Sequence, residues 1–288
     1  MGRVHVLGYL SIDRIVLDGR SVDGIPGGGA LYAALAARGA GAEVALHACA
    51  GSDFRAAWID GLAAQGIDVS GVVHVAVPTR RARLAYADAE RRASAHHGEA
   101  AWWESTRALA PRLAVAPARG DVVAVPPGPA DRLAAVCAQA RAAGARVVAD
   151  TSAAFARVDG AALLAALPGL AAFAPSLEET RILMPGGDDD AARLLSALGC
   201  PVLQKRGASG AVLAPDGVAP LLRLPAPAAT VIDTTGAGDC VLGALAAALA
   251  AGVGLPGAAQ SALAWGARCV GGLGPSALGL APEFEETT

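Results

Sequence analysis

The chain has 288 residues, of which 54% are hydrophobic and 17% are charged, with a formal net charge of −3. This length suits one large α/β domain or two small ones, and the weak negative charge without a basic stripe excludes nucleic acid as an expected partner. The five cysteines form no CxxC pair. We therefore expect no zinc site or disulfide framework, and we predict a reducing, cytoplasmic location.

No membrane segment is predicted. The N-terminal run MGRVHVLGYLSIDRIV is interrupted by Asp13 and lacks the charged start and cleavage site of a signal peptide. The most apolar segment, residues 240–253, is too short to span a bilayer. A soluble protein without a membrane partner is expected.

Apolar runs alternate with helical patterns along most of the chain, as in βαβ units. In chain order the predicted elements are strand 3–7, helix 29–38, strand 43–48, helix 54–65, strand 121–125, helix 130–143, strand 145–150, strand 170–174, helix 176–184, helix 190–198 and strand 201–205. Strands this apolar are buried on both faces, as in parallel sheets covered by helices. The sequence therefore predicts an α/β fold.

The segment 79–97 breaks this alternation. Its arginines alternate with small or aromatic residues around a polar Asp-Ala-Glu turn, which predicts an antiparallel hairpin with one face in water. The hairpin is either a flap over a site or a solvated sheet edge, and the sequence leaves both open. We expect one domain over residues 1–288 with this hairpin as an appendage.

The segment VIDTTGAGDC (231–240) places two carboxylates around a glycine turn, directly before an Ala/Leu-rich helix. Backbone N–H groups of such a turn at a helix N-terminus bind anions, and Gly236, Ala237 and Gly238 are small enough to admit an oxyanion. A carboxylate at Asp239, beside that anion, suits a base that takes a proton from an attacking hydroxyl. The alternative is that Asp239 only favours the positive end of the helix.

The run 233–239 resembles in full the Asp-Thr-x-Gly-Ala-Gly-Asp signature of the ribokinase-like (PfkB) carbohydrate kinases. This resemblance implies a three-layer α/β/α sandwich with a mainly parallel central sheet and a small β lid. It implies that ATP phosphorylates an alcohol group, with Asp239 as catalytic base and the amides of Gly236, Ala237 and Gly238 as anion hole. It also implies that Asp233 helps to hold a monovalent cation, K⁺, behind the loop.

Two N-terminal motifs resemble the acceptor side of the same family. GYLSIDRIV is similar to the first strand with its substrate-binding aspartate, here Asp13, and PGGG is similar to the Gly-Gly motif. By this resemblance Gly27, Gly28 and Gly29 let substrate hydroxyls approach the backbone. Taken alone, the aspartate also fits a cap and the glycines a tight turn.

Two later segments resemble the nucleotide side. In APSLEET (174–180), Glu179 matches the glutamate of an Asn-x-x-Glu element that organises Mg²⁺ and phosphates through water, while Ser176 replaces the asparagine. The same two residues also fit a capping box. In QKRGASG (204–210), the resemblance places Gly207 against the nucleotide and Gly210 in the turn. Lys205, the only lysine, either reaches a phosphate or is solvent-exposed.

The sequence departs from the family pattern in two places. Leu31 or Tyr32 stands where an asparagine is usual, and the segment between Asp13 and Gly27 is short, which predicts a lid reduced to the hairpin at 79–97. The acceptor is therefore left open among sugars and related polyols, nucleosides and inositol-type cyclitols. A catalytically silent sugar or nucleotide sensor is the non-enzyme alternative. An exposed edge of the hairpin favours a homodimer through the lid.

Overall fold

The structure of the chain, a computed structural model, describes residues 2–17, 20–86, 92–95, 100–281 and 286–287. The strands are β1 Val4–Leu7, β2 Ser11–Leu17, β3 Arg20–Gly27, β4 Val44–Ala50, β5 Ile67–His74, β6 Arg80–Tyr86, β7 Arg92–Ala95, β8 Val122–Val125, β9 Arg146–Ala149, β10 Ala172–Phe173, β11 Val202–Lys205, β12 Ala211–Ala214, β13 Leu222–Leu224 and β14 Glu286–Thr287. The helices are α1 Gly29–Gly39, α2 Ala56–Ala64, α3 Ala100–Ala108, α4 Ala130–Ala143, α5 Ala153–Ala166, α6 Leu177–Leu183, α7 Asp188–Ser196, α8 Ala237–Ala250 and α9 Leu255–Cys269.

Nine strands form a central sheet in the order β13-β12-β11-β10-β9-β8-β1-β4-β5. The strands from β11 to β5 run parallel, and β12 and β13 continue the sheet antiparallel. The strands predicted from the sequence all lie in this sheet. Strand order reverses beside β1, which pairs with both β4 and β8, and ligands bind in such sheets where the carboxyl ends of the strands meet this reversal.

The central sheet is covered on both faces, as its apolar strands require. Alternate residues of β1 point to opposite faces: Val4 and Val6 lie in a core with α1, α2, α8 and α9, whereas Leu7 lies in a second core with α4, α5 and α7. The three-layer sandwich expected from the sequence is confirmed. In the described part of the chain, no helix is long and apolar enough to cross a membrane.

Close packing of α1 against α8 sets the position of the glycine-rich loop. A Cβ on Gly243 of α8 would overlap the carbonyl group of Ala33 on α1, so the two helices approach backbone to backbone. Interiors packed this tightly have low compressibility. The N-terminus of α8 is therefore held rigidly at the carboxyl edge of the sheet.

A second sheet has the order β14-β3-β2-β6-β7. It is larger than the single hairpin expected at 79–97, because β2 pairs antiparallel with β3 and parallel with β6. The segment between Asp13 and Gly27 looked too short for a hairpin, yet the two strands occupy nearly all of it. Residues 87–91 and 96–97 of the predicted hairpin lie outside the described residues.

The two faces of this second sheet differ in polarity. Ile15, Ile25 and Leu84 are buried together on one face, while Arg81 and Arg83 of β6 are exposed on the other. The pairing of β2 with β6 places Ser11 beside Arg80 and Asp13 beside Ala82, on the buried face. Polar side chains therefore stand at the end of this face that approaches the central sheet.

Candidate active site

The candidate site lies at the carboxyl edge of the central sheet, beside the reversal of strand order. Tyr9 follows β1, Pro126 follows β8 and Asp150 follows β9, and the N-terminus of α8 points to the same place. The structure brings the carboxylates of Asp13, Asp150 and Asp239 to this region.

The glycine-rich loop ends in a turn that only glycine fits. Gly236 is the N-cap of α8 with a φ of 76°, and a Cβ there would overlap the ring of Tyr32. Ala237 and Gly238 open the helix and are partly exposed. The N–H of Gly238 donates to no acceptor among the residues that the structure describes, so this helix end offers a donor to an incoming anion.

Asp233 braces this loop from behind. It is 1% exposed, and its Oδ1 accepts from the N–H of Thr235 at 2.9 Å and from the Thr235 hydroxyl at 2.7 Å. Its Oδ2 accepts from the N–H of Gly274 at 2.8 Å. Because the Thr235 hydroxyl donates to Asp233, it accepts from the hydroxyl of Tyr86 at 2.7 Å. The second sheet is thus tied to the loop.

The turn at Gly27–Gly29 lies between two carboxylates. A Cβ on Gly27 would overlap Oδ2 of Asp13, and a Cβ on Gly29 would lie 2.6 Å from Oδ1 of Asp239. Gly28, with a φ of 95°, is the N-cap of α1 and lies against the backbone of Tyr9. The predicted acceptor residues and the predicted base are therefore neighbours, separated by a bare backbone turn.

Asp13 is a buried carboxyl group with unused hydrogen-bonding capacity. It is 4% exposed, and its Oδ1 has no hydrogen-bond partner among the described residues. Burial raises the pKa of Asp13 to about 6, against the lowering effects of the Ser11 hydrogen bond and of Arg80. An incoming hydroxyl would supply the partner that Oδ1 lacks.

Ser176 and Glu179 form the capping box that the sequence predicts. The N–H of Glu179 donates to Oγ of Ser176 at 3.3 Å, and the N–H of Ser176 donates to Oε2 of Glu179 at 2.6 Å. Burial raises the pKa of Glu179 to about 7, and the nearby negative charge of Asp150 is the second largest cause of this increase. The carboxyl group therefore lies within electrostatic reach of the site while it holds α6.

Lys205 lies at the end of β11 with its side chain only 12% exposed. Its ammonium group forms an ion pair with Oδ2 of Asp150, and a Cβ on Gly238 would lie 2.9 Å from Nζ. Burial alone would lower the pKa of Lys205, but the charges of Asp150 and Glu179 outweigh it and raise that pKa. The only lysine therefore stands as a cation directly beside the predicted anion hole.

Negative charge is in excess around this lysine. Asp150, Glu179 and Asp239 interact electrostatically with one another or with the single ammonium group of Lys205. Burial, together with the charge of Asp239, raises the pKa of Asp150 to about 6 against the lowering effect of Lys205. Carboxylate-rich sites of this kind suit Mg²⁺. Within the described ranges no three acidic, His or Cys side chains could ligate a metal together, so water and phosphate oxygens would complete its coordination.

The two other predicted nucleotide residues differ in position. Gly207 is exposed, and a Cβ there would meet open space. Gly210 is buried, and a Cβ there would overlap the carbonyl oxygen of Leu224. Gly207 is therefore available to a ligand. Gly210 lies in the turn between β11 and β12, and the structure does not bring it into the site.

Sequence reasoning missed three residues of this region: Tyr9, Arg80 and Asp150. Asp150 ends a buried strand at the edge where ligands bind, and this position is the signal that points to it. Tyr9 follows β1 in the same way. Arg80 gives no such signal, because it is one of several arginines in a segment predicted to be a hairpin with one face in water.

Comparison with known proteins places the chain in a family. Residues 1–280 match the model of the pfkB family carbohydrate kinases. The chain belongs to this family. Membership makes it an ATP-dependent phosphotransferase that uses an alcohol group as acceptor.

Individual relatives agree with this assignment. The bifunctional protein HldE of Chromohalobacter salexigens is 34% identical over 249 residues, which cover 80% of this chain and 48% of that relative. The chain thus spans about half the length of this curated relative. HldE proteins of other bacteria match over shorter segments.

Solved structures share the fold. The ribokinase of Cryptococcus neoformans, in complex with ADP, has a TM-score of 0.76 and 21% identity, over 96% of this chain and 97% of that one. An Escherichia coli protein assigned as a ribokinase II, in complex with ATP and Mg²⁺, has a TM-score of 0.74 and 21% identity, over 98% of this chain and 96% of that one. The fold is therefore ribokinase-like.

Proposed function

We propose that this pfkB-family kinase transfers the γ-phosphoryl group of ATP to a hydroxyl group of a sugar or a related polyol, with Asp239 as the base. The observation that carries the proposal is the position of Asp239, in the first turn of α8 between the Gly29 backbone and the open N–H of Gly238. A hydroxyl beside Gly29 would meet the base, and the phosphoryl group would meet the amide.

The acceptor side of this proposal rests on Asp13 and the turn at Gly27–Gly29. The unpartnered Oδ1 of Asp13 would accept a hydrogen bond from a substrate hydroxyl, and the glycines would let the sugar ring approach the backbone. These contacts fix the attacking oxygen relative to Asp239. Positioning of this kind supplies much of the rate in phosphoryl transfer.

The phosphoryl side rests on the N-terminus of α8 and on Lys205. The amides at Gly236–Gly238 would hold the equatorial oxygens, and the ammonium group beside Gly238 would offset the charge that builds up on them. Glu179 and Asp150 would hold Mg²⁺ through water, and when bound this ion neutralises phosphate charge. The exposed Gly207 would contact the nucleotide.

Two further assignments belong to this proposal. K⁺ behind the loop would depend on Asp233, whose two oxygens already accept three hydrogen bonds. Nucleosides and inositol-type cyclitols are the alternative acceptors, since the same hydroxyl-binding residues would serve them.

The test is an ATP-consumption screen over pentoses, hexoses, nucleosides and inositols, with Asp239→Asn as the inactive control. The proposal requires ATP-dependent phosphorylation of at least one sugar or polyol by the wild type and none by the variant. If only nucleosides are phosphorylated, the acceptor is a nucleoside and not a sugar. Binding of these compounds without any turnover would indicate a sensor.

A further inference from the structure

Arg80 is a buried arginine in contact with two aromatic rings. It is the first residue of β6, pairs with Ser11 and is only 8% exposed. Its guanidinium carbon lies 4.3 Å from the ring centre of Tyr9 and 4.5 Å from that of Trp102. Cation–π contacts with both rings hold the guanidinium group in place.

This guanidinium group has no anionic partner in the described part of the chain. No hydrogen bond or ion pair joins it to a described residue, and its Nε is buried without an acceptor. Burial lowers the pKa of Arg80 to about 10, so the group is still charged at neutral pH. A buried charge is costly unless it is paired and hydrogen-bonded, and the rings satisfy neither requirement.

Asp13 does not serve as that partner. It influences the pKa of Arg80 and shares a face of the second sheet with it, but the two groups form no ion pair within 4.0 Å. Arg80 therefore stands at the acceptor side of the candidate site, next to the residue proposed to bind a substrate hydroxyl.

The geometry also limits which ligand fits. The two rings pack against the guanidinium group and its Nε is buried, so the remaining N–H groups are the part of Arg80 open to a ligand. This planar fork matches the two oxygens of a carboxylate or a phosphate, and an anionic oxygen would also neutralise the buried charge. A neutral hydroxyl would accept a hydrogen bond and leave the charge unpaired.

We propose that Arg80 binds an anionic substituent, a carboxylate or a phosphate, of the acceptor, so that the preferred acceptors are acidic sugars. This inference rests on the proposed function of the site. Arg80 acts as a specificity residue: it holds the end of the sugar remote from the hydroxyl that Asp239 deprotonates.

Matched acceptor pairs test the proposal: glucose with gluconate and with glucose 6-phosphate, and ribose with ribose 5-phosphate. The wild type is expected to have a kcat/KM about tenfold or more higher for at least one acidic member, as a charged hydrogen bond implies. Gluconate separates a carboxylate preference from a phosphate preference. A preference for the neutral member in every pair overturns the proposal and leaves the kinase assignment intact.

Arg80→Gln should remove this preference: a higher KM for the acidic acceptor should lower the ratio of the two kcat/KM values by about tenfold or more. Arg80→Lys keeps a positive charge but lacks the planar fork of N–H groups, so it should keep only part of the preference for the acidic acceptor. Arg83→Gln, an exposed arginine on the other face of β6, is the matched control and should retain the wild-type ratio. An unchanged ratio in a folded Arg80→Gln protein contradicts the proposal.

Binding of the same compounds to Asp239→Asn, measured by calorimetry with ATP present, separates the two hypotheses. If no compound is turned over by the wild type, the proposed function fails. In that case, binding of an acidic sugar that depends on Arg80 still supports the anion site. If no such binding is found, the anion site is overturned as well.

Discussion

The ammonium group of Lys205 forms an ion pair with Asp150 directly beside Gly238, and the two side chains are only 12% and 3% exposed. The pair joins the ends of two sheet strands, β11 and β9, at the N-terminus of α8. It holds the only lysine of the chain next to the amide proposed to bind the phosphoryl group.

Lys205→Met should be costly because it leaves Asp150 buried and without its partner. Loss of one member of a buried pair costs about 3 kcal/mol or more of unfolding free energy. Chemical denaturation measures this cost. The double variant Lys205→Met/Asp150→Asn should lose less than the sum of the single variants; strict additivity would show that the pair is not coupled.

Gly236→Ala should greatly reduce activity because the added Cβ overlaps the ring of Tyr32 and displaces the loop. Gly252→Ala is the control: its φ of 83° imposes a similar backbone strain, and a Cβ there meets nothing within 4 Å. Both variants should lose about 1 kcal/mol or more of stability from the left-handed backbone. In steady-state assays only Gly236→Ala should lose turnover, and equal activities would contradict the proposed role of the loop.

Glu179→Gln should change how stability depends on pH. The pKa of Glu179 is raised to about 7 from an ordinary value of 4.5, so the folded state binds this proton more tightly than the unfolded state. The stabilisation is complete below pH 4.5 and is lost as pH rises to 7. Glutamine can keep the capping hydrogen bonds, so the variant should gain stability relative to the wild type between pH 5 and pH 7. A pH-independent difference would contradict the raised pKa.

Asp13→Asn should weaken the use of the acceptor and leave the binding of ATP unchanged. The carboxylate offers two acceptor atoms in a buried position, and an amide retains only one. We expect kcat/KM for the acceptor to fall by about tenfold or more, with the KM for ATP unchanged. Initial rates at varied ATP and varied acceptor separate the two effects, and a change confined to the KM for ATP would contradict the assignment.

Much of the fold was predictable because local pattern and global structure agree. The runs around Val4–Leu7, Val122–Val125 and Val202–Lys205 are apolar over their whole length, and the structure buries them between two helical layers. The turn at Gly236–Gly238 and the helix after it were also predictable from the glycines and the Ala-rich segment, whereas the role of Asp239 as a base came from the resemblance to the family.

The second sheet and the surroundings of Lys205 were not predictable from local patterns. β2 pairs with β3 on one side and with β6 on the other, and β6 lies over fifty residues away in the chain. The burial of Lys205 depends on Asp150 from another strand, and the stacking of Arg80 depends on Tyr9 and Trp102 from separate elements. Such long-range pairs leave no periodic signal in a single sequence.

The most direct test of the central claim compares Asp239→Asn with the wild type on an accepted sugar. We predict that kcat falls by about 100-fold or more, as expected for loss of a general base, while the dissociation constant for ATP changes little. Asp216→Asn, at an exposed carboxylate in the turn after β12, is the matched control and should behave as wild type. A folded Asp239→Asn protein with near-normal turnover would contradict the account.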